Sequence, residues 1–171
     1  MSDMTLEMSN MYPEHRFVMD NLQNLIHGYI SNSMCVVICE AKYEWPEFPD
    51  KKFEPDISLL CGFRHRKKLC YTDVPRFIAE VLSDSTEKTD RGEKMDVYST
   101  VGVQEYWLID WRVTGGRVER YMLDDSGEKY LLHDIVSGEN NPDTELNIIS
   151  FPQIHFKMSD LMKHVGEDII E

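Results

Sequence analysis

Phe17, Val18, Leu22, Leu25, Ile26 and Tyr29 recur at helical spacing and fall on one side of a 3.6-residue repeat. Pro13 and Glu14 precede them, with proline where a first turn tolerates it, so a first helix is predicted. Residues 34–39 form a short β-branched run that reads as a strand, and Trp45, Pro46, Pro49 and Asp50 mark a loop. Residues 53–61 read as a second strand, 67–73 as a charged connection and 76–82 as a third strand. Residues 86–100 are charged and predict a second helix, with Asp90 and Glu93 spaced as a capping box and Gly102 as its stop. The run 103–110 is again strand-like, and Gly115-Gly116 separates it from 117–123 as a hairpin would. A turn at 124–127, strands at 129–136 and 145–149, and a short helix at 159–165 complete the pattern.

This order predicts an α/β chain, a mixed α+β sheet flanked by helices, in one domain over residues 1–171. Neither GxGxxG nor GxxxxGK[ST] occurs, so those nucleotide-binding loops have no support. Acidic residues outnumber basic ones, 31 to 18, and the resulting charge of −13 repels a polyanion. A local basic strip, Arg64, Arg66, Lys67 and Lys68, could still attract phosphate. Cys35, Cys39, Cys61 and Cys70 contain no CxxC pair, and free thiols packed as small hydrophobes are expected. The start Met-Ser-Asp-Met-Thr lacks a basic and apolar leader, and the apolar runs are too short to span a bilayer, so a cytoplasmic protein is expected.

Two acids disturb this ordinary picture. Asp56 opens the run Ile-Ser-Leu-Leu and Glu80 lies inside Phe-Ile-Ala-Glu-Val-Leu. A buried carboxylate costs several kcal/mol unless it is paired, protonated or bound to a metal. Magnesium favours a few carboxylates plus water and assists phosphodiester hydrolysis, which would suit Asp56 and Glu80. A salt bridge is the plainer account of Glu80. A lysine beside such acids would hold or activate water and offset charge in the transition state, and Lys94 is the candidate. By itself, Lys94 also reads as a solvated helix lysine.

The segments Phe-Glu-Pro-Asp-Ile, Ala-Glu-Val-Leu-Ser, Asp90 with Lys94 and Tyr98, and Gly-Val-Gln-Glu-Tyr-Trp-Leu-Ile-Asp follow one another in order. Together they resemble the Uma-two family of restriction-endonuclease-like proteins, within the PD-(D/E)XK nuclease superfamily. The resemblance implies a restriction-endonuclease-like core with flanking helices and added antiparallel strands. It also implies Asp56 and Glu80 as ligands of Mg2+ or Mn2+, and Lys94 as the basic group. The chain departs from the superfamily pattern at Glu80-Val81-Leu82, where leucine takes the lysine slot, so the lysine would have migrated to the helix. Lys94 and Tyr98 are four apart and share a helix face. Asp110 could orient Lys94 or cap its strand. His15 and Glu14, at the start of the first helix, could join the metal shell or act as helix-start caps.

Twelve residues precede Pro13, where the family carries an additional hairpin, so a trimmed variant with an open sheet edge, closed by a homodimer, is expected. The expected function is a metal-dependent DNA endonuclease with a phosphodiester substrate. The alternative is a catalytically inactive dimeric interaction or regulatory module on the same fold, which the net charge and the displaced lysine favour. A zinc site from Cys61, His65 and Cys70 is a weaker third reading, because its spacing is loose.

Overall fold

Ile57, Leu59, Phe77, Ala79, Val81, Trp107 and Ile109 pack into one buried cluster, while Ile78, Leu82, Tyr106 and Leu108 pack into another. Their alternation is the two-residue period of strands, which sends successive side chains to opposite faces of a sheet. In the computed structural model, which describes residues 12–62 and 66–167, these strands lie at the centre of a six-stranded sheet. Its members are β1 (Cys35–Cys39), β2 (Ile57–Cys61), β5 (Phe77–Val81), β6 (Glu105–Asp110), β7 (Arg117–Leu123) and β8 (Tyr130–Ser137), hydrogen-bonded in the order β1-β2-β5-β6-β7-β8. Only β5 and β6 run parallel. Two ribbons accompany the sheet: β3 (Arg66–Lys67) with β4 (Cys70–Tyr71), and β9 (Glu145–Ile148) with β10 (Phe151–Lys157).

One face is covered by α1 (Pro13–Ile30), which buries Val18, Met19, Leu22, Ile26 and Ile30, and by residues of the β9–β10 ribbon and α4 (Met158–Leu161). The other face is covered by α3 (Glu93–Val101) and by Tyr43, Trp45 and Phe53. Between β5 and α3 lies α2 (Glu87–Arg91). The two helix-covered faces and the mixed sheet agree with the fold class expected from sequence.

Several local expectations are corrected. The strand expected over 53–61 begins only at Ile57, and Phe53 instead forms an isolated bridge with Tyr43, so Asp56 stands at the mouth of β2. The helix expected over 86–100 is broken at Gly92, whose φ of −111° and ψ of −101° leave the helical region. No side chain caps α3, so Asp90 and Glu93 do not form a capping box. Strand β10 was not expected, because Pro152 and a register shift between Phe151 and His155 break its two-residue pattern. The charged connection expected at 67–73 overlaps the β3–β4 ribbon, which begins at Arg66.

Cys35 and Cys61 face each other directly across β1 and β2 and are joined in a disulfide, in place of the free thiols expected. That removes Cys61 from the zinc set, while His65 lies outside the described residues. Of the basic strip, Arg64 and the side chains of Arg66 and Lys67 also lie outside the described residues, while Lys68 is exposed. No described helix is long and apolar enough to cross a membrane.

Glu105 is a buried strand acid with an ordinary explanation. Its carboxylate accepts hydrogen bonds from Trp107 Nε1 at 2.7 Å, Ile149 N at 2.9 Å, and Ser150 N and Oγ, both at 2.7 Å. These donors tie the β9–β10 turn to the sheet. Glu105→Ala is therefore expected to destabilise the protein by about 3 kcal/mol in urea unfolding, because it orphans several buried donors together. A loss under about 1 kcal/mol would show that water replaces the carboxylate there.

Candidate active site

Strands β2 and β5 are antiparallel neighbours, with Ile57 opposite Ala79, and this register brings Asp56 beside Glu80. The two residues are cross-linked: Asp56 N donates to Glu80 Oε2 at 3.2 Å, and Val81 N donates to Asp56 Oδ2 at 2.7 Å. Glu80 points to the α3 face, where its side chain is 1% exposed. There Tyr98 Oη donates to Glu80 Oε1 at 2.8 Å, and Lys94 Nζ lies 3.1 Å from the same oxygen. One turn of α3 separates Lys94 from Tyr98, so both reach the carboxylate from one helix face.

Asp90, whose spacing to Glu93 in the sequence is that of a cap, has another place in the structure. The break at Gly92 turns it inward, to 1% side-chain exposure, where Lys94 Nζ is 2.9 Å from its Oδ1. That contact is close but poorly aligned, and neither Asp90 oxygen receives a well-directed hydrogen bond. Tyr106 Oη donates to the Asp90 backbone carbonyl at 2.8 Å and fixes this end of α2 from below. Arg91 grips Glu119 on β7 with two bonds, of 2.7 and 3.0 Å, and holds the same helix from its other side. The available sequence signal was the i, i+4 spacing of Asp90 and Lys94, which the capping-box pattern masked.

From α1, His15 Nε2 approaches Asp56 Oδ2 at 3.3 Å, while His15 Nδ1 is buried with no partner. Glu14 lies in the first turn of α1 and, among the described residues, makes no hydrogen bond or ion pair with these acids, which fits its reading as a helix-dipole partner. Asp110 is taken up by Arg112, which donates from its backbone N at 3.0 Å and from Nε at 2.8 Å, so it does not orient Lys94. The structure thus brings together Asp56, Glu80, Lys94, Tyr98 and His15, adds Asp90, and leaves Glu14 and Asp110 outside the cluster.

Three carboxylates and one ammonium meet in this space, so negative charge is in excess. Burial and the neighbouring Asp56 charge push the Glu80 carboxyl well above its ordinary range, against the opposing pull of Lys94 and Tyr98. Burial raises Asp90 as well, again against Lys94. For Lys94, burial acts downward, but the charges of Glu80 and Asp90 outweigh it and hold the ammonium above its ordinary value. His15 is likewise raised, its burial outweighed by the hydrogen bond and charge of Asp56.

Oxygen donors, excess negative charge and an under-bonded Asp90 suit a hard divalent cation. Among the described residues, no three His, Cys, Asp or Glu side chains are already gathered around one point to hold a metal. Magnesium commonly keeps several waters and takes only one or two carboxylates, so a pair such as Asp56 and Glu80 is chemically compatible with it without a complete protein cage. A groove of about 350 Å³, lined by Lys51, Lys52, Phe53, Glu54, Thr89, Glu93 and Lys94, leads from solvent to the lysine.

Comparison with known proteins agrees with this architecture. A crystal structure of a putative nuclease belonging to DUF820 from Anabaena variabilis ATCC 29413 superposes with a TM-score of 0.67 at 18% identity, covering 88% of this chain and 81% of that one. The "Uncharacterized protein slr1290" of Synechocystis sp. (strain ATCC 27184 / PCC 6803 / Kazusa) is 35% identical over 80 residues, 46% of this chain. That match spans 41% of the relative's length. The model of the Uma2 family, described as "Putative restriction endonuclease", matches residues 4–158, and the chain belongs to that family.

Proposed function

We propose that this protein is a metal-dependent DNA endonuclease whose site is Asp56, Glu80 and Lys94. The observation that carries this reading is the meeting of two strand-borne acids with a helix-borne ammonium that itself lines an open groove. Asp56 and Glu80 would hold Mg2+ or Mn2+. When bound, the ion supplies an acidified water and neutralises charge on the scissile phosphate. Lys94, held as an ammonium, serves as a donor and positive charge where negative charge gathers on the phosphate, and it does not take a proton. Tyr98 and Asp90 fix it and its acid partner from either side. His15 orients Asp56 through its Nε2 contact. DNA is the substrate that the family's description suggests, and Lys52 at the groove, next to Lys51 in its pair with Glu93, offers phosphates a local positive charge on an acidic body.

This reading places the protein in the cytoplasm, where the Cys35–Cys61 disulfide would be open to reduction. The homodimer expected from an open sheet edge also belongs to it. The second reading, an inactive dimeric or regulatory module, draws on the charge of −13 and on the pairing of Lys94 with Glu80 and Asp90. Nicking of supercoiled plasmid with Mg2+, Mn2+ or EDTA separates the two. Metal-dependent nicking by the wild type that disappears in Asp56→Ala supports the enzyme. Equal nicking by both proteins, or none with either metal, favours the module.

A further inference from the structure

Strand β8 is one edge of the six-stranded sheet, and it is unusually apolar for an edge. Leu131, Leu132 and Ile135 are 53%, 49% and 45% exposed. Natural edges are usually blunted by lysine, proline, a bulge or an inward charge, and β8 has only a bulge. The sequence Tyr-Leu-Leu-His-Asp-Ile-Val-Ser of β8 has neither lysine nor proline. Its one acid, Asp134, is turned onto Arg120, which donates from Nε at 2.7 Å. The opposite edge, β1, differs: Cys35, Val37 and Cys39 pack onto the α1-side core and Ile38 onto the other.

The register of β8 has a further property. Tyr121 faces Leu132 and Arg120 faces Asp134, so His133 is an extra, bulged residue. The bulge resets the alternation and puts Leu132, opposite Tyr121, and Ile135, opposite Glu119, on the same face. Leu131 and Val136, opposite Met122 and Val118, share the other face. With His133 set aside, the strand reads nearly alike in both directions about Asp134. Leu132 matches Ile135, Leu131 matches Val136, and Tyr130 matches Ser137.

We infer that a second copy of this chain pairs with β8, antiparallel and about a two-fold axis at Asp134, to extend the sheet across the dimer. Every flanking pair then has both members on one face, as directly opposed residues of an antiparallel pair require. Leu132 meets Ile135 of the partner and Leu131 meets its Val136, so apolar side chains cover one another on both sides. The two Asp134 residues oppose each other at the axis, which would cost energy if they were bare. Each is neutralised by its own Arg120. A different protein strand could also add to this edge, but only a copy of the same strand brings this matched order.

This inference identifies the surface of the homodimer proposed above and does not depend on nuclease activity. Sedimentation equilibrium without metal or DNA tests it. The wild type is expected to show a monomer–dimer equilibrium over micromolar concentrations. Leu132→Lys with Ile135→Lys, which sets like charges opposite each other, should weaken the dimer at least about tenfold with an unchanged circular dichroism spectrum. Leu132→Lys with Ile135→Glu puts opposite charges across the axis and should restore a dimer that weakens with salt. A wild type that stays monomeric, or a dimer indifferent to the double-lysine variant, overturns the inference. Failure here leaves the plasmid assay, and the reading it tests, untouched.

Discussion

A Lys94→Met variant is expected to lose about 3 kcal/mol of stability near neutral pH and to regain most of it in acid. Lys94 is the only cation within ion-pair distance of Glu80 and Asp90 among the described residues, and both acids are 1% exposed. Removing it leaves two buried carboxylates without their counter-charge, which costs far more than the pair itself contributes. The pH dependence follows from the direction of the shifts. Glu80 and Asp90 have folded values raised above the ordinary 4.5 and 3.8, by burial first, with Asp56 adding to the rise. The stability from a proton on such a group is fully present below its unfolded value and is lost as pH rises through the folded value. Without Lys94 both folded values rise further. The deficit is therefore smallest below about pH 4 and grows toward neutrality. Urea unfolding at pH 4 and pH 7.5 measures it; equal deficits would mean that Lys94 acts through packing alone. Combining Lys94→Met with Glu80→Gln should recover part of the loss, since one uncompensated charge is gone.

The second large effect is catalytic. Asp56→Ala and Glu80→Gln are each expected to lower metal-dependent plasmid nicking by about a hundredfold to a thousandfold, the usual scale for losing a group that stabilises the reacting charge. Their stabilities should differ from their activities in an instructive way. Glu80→Gln keeps an acceptor for Tyr98 and removes a desolvated charge, so it should unfold at a urea concentration no lower than the wild type. Glu105→Ala, by contrast, removes an acid whose bonds are all satisfied and should lose stability. An acid whose removal harms activity but not stability is held for function. If Glu80→Gln instead unfolds easily and nicks normally, Glu80 is a structural acid like Glu105.

Much of the fold was legible because apolar positions kept their periods. The two-residue alternation at 57–61, 77–81 and 105–110 survives in β2, β5 and β6, and the helical stripe from Val18 to Ile26 survives in α1. Legibility failed where the local signal and the tertiary contact disagree. Asp90 has cap-like spacing to Glu93, but the Gly92 break and the Tyr106 bond turn it inward to meet Lys94. Strand β10 carries a proline and a register shift, so neither period fits it. The pairing of Cys35 with Cys61 depends on the β1–β2 register, which no cysteine spacing reports. The cluster around Glu80 was legible in its members, because a lone acid in an apolar run is conspicuous. Burial alone did not separate Glu80 from Glu105, since both are 1% exposed or less; the difference lies in how many donors each carboxylate meets.

Calorimetric titration of the wild type and Asp56→Ala with Mn2+ at pH 7 measures the central claim most directly, since it needs neither DNA nor turnover. The account predicts a saturable heat with one ion per chain in the wild type, weakened at least about tenfold in the variant, together with a rise in melting temperature for the wild type alone. A wild type that gives no heat and no rise, or a variant that binds as well as the wild type, would contradict it.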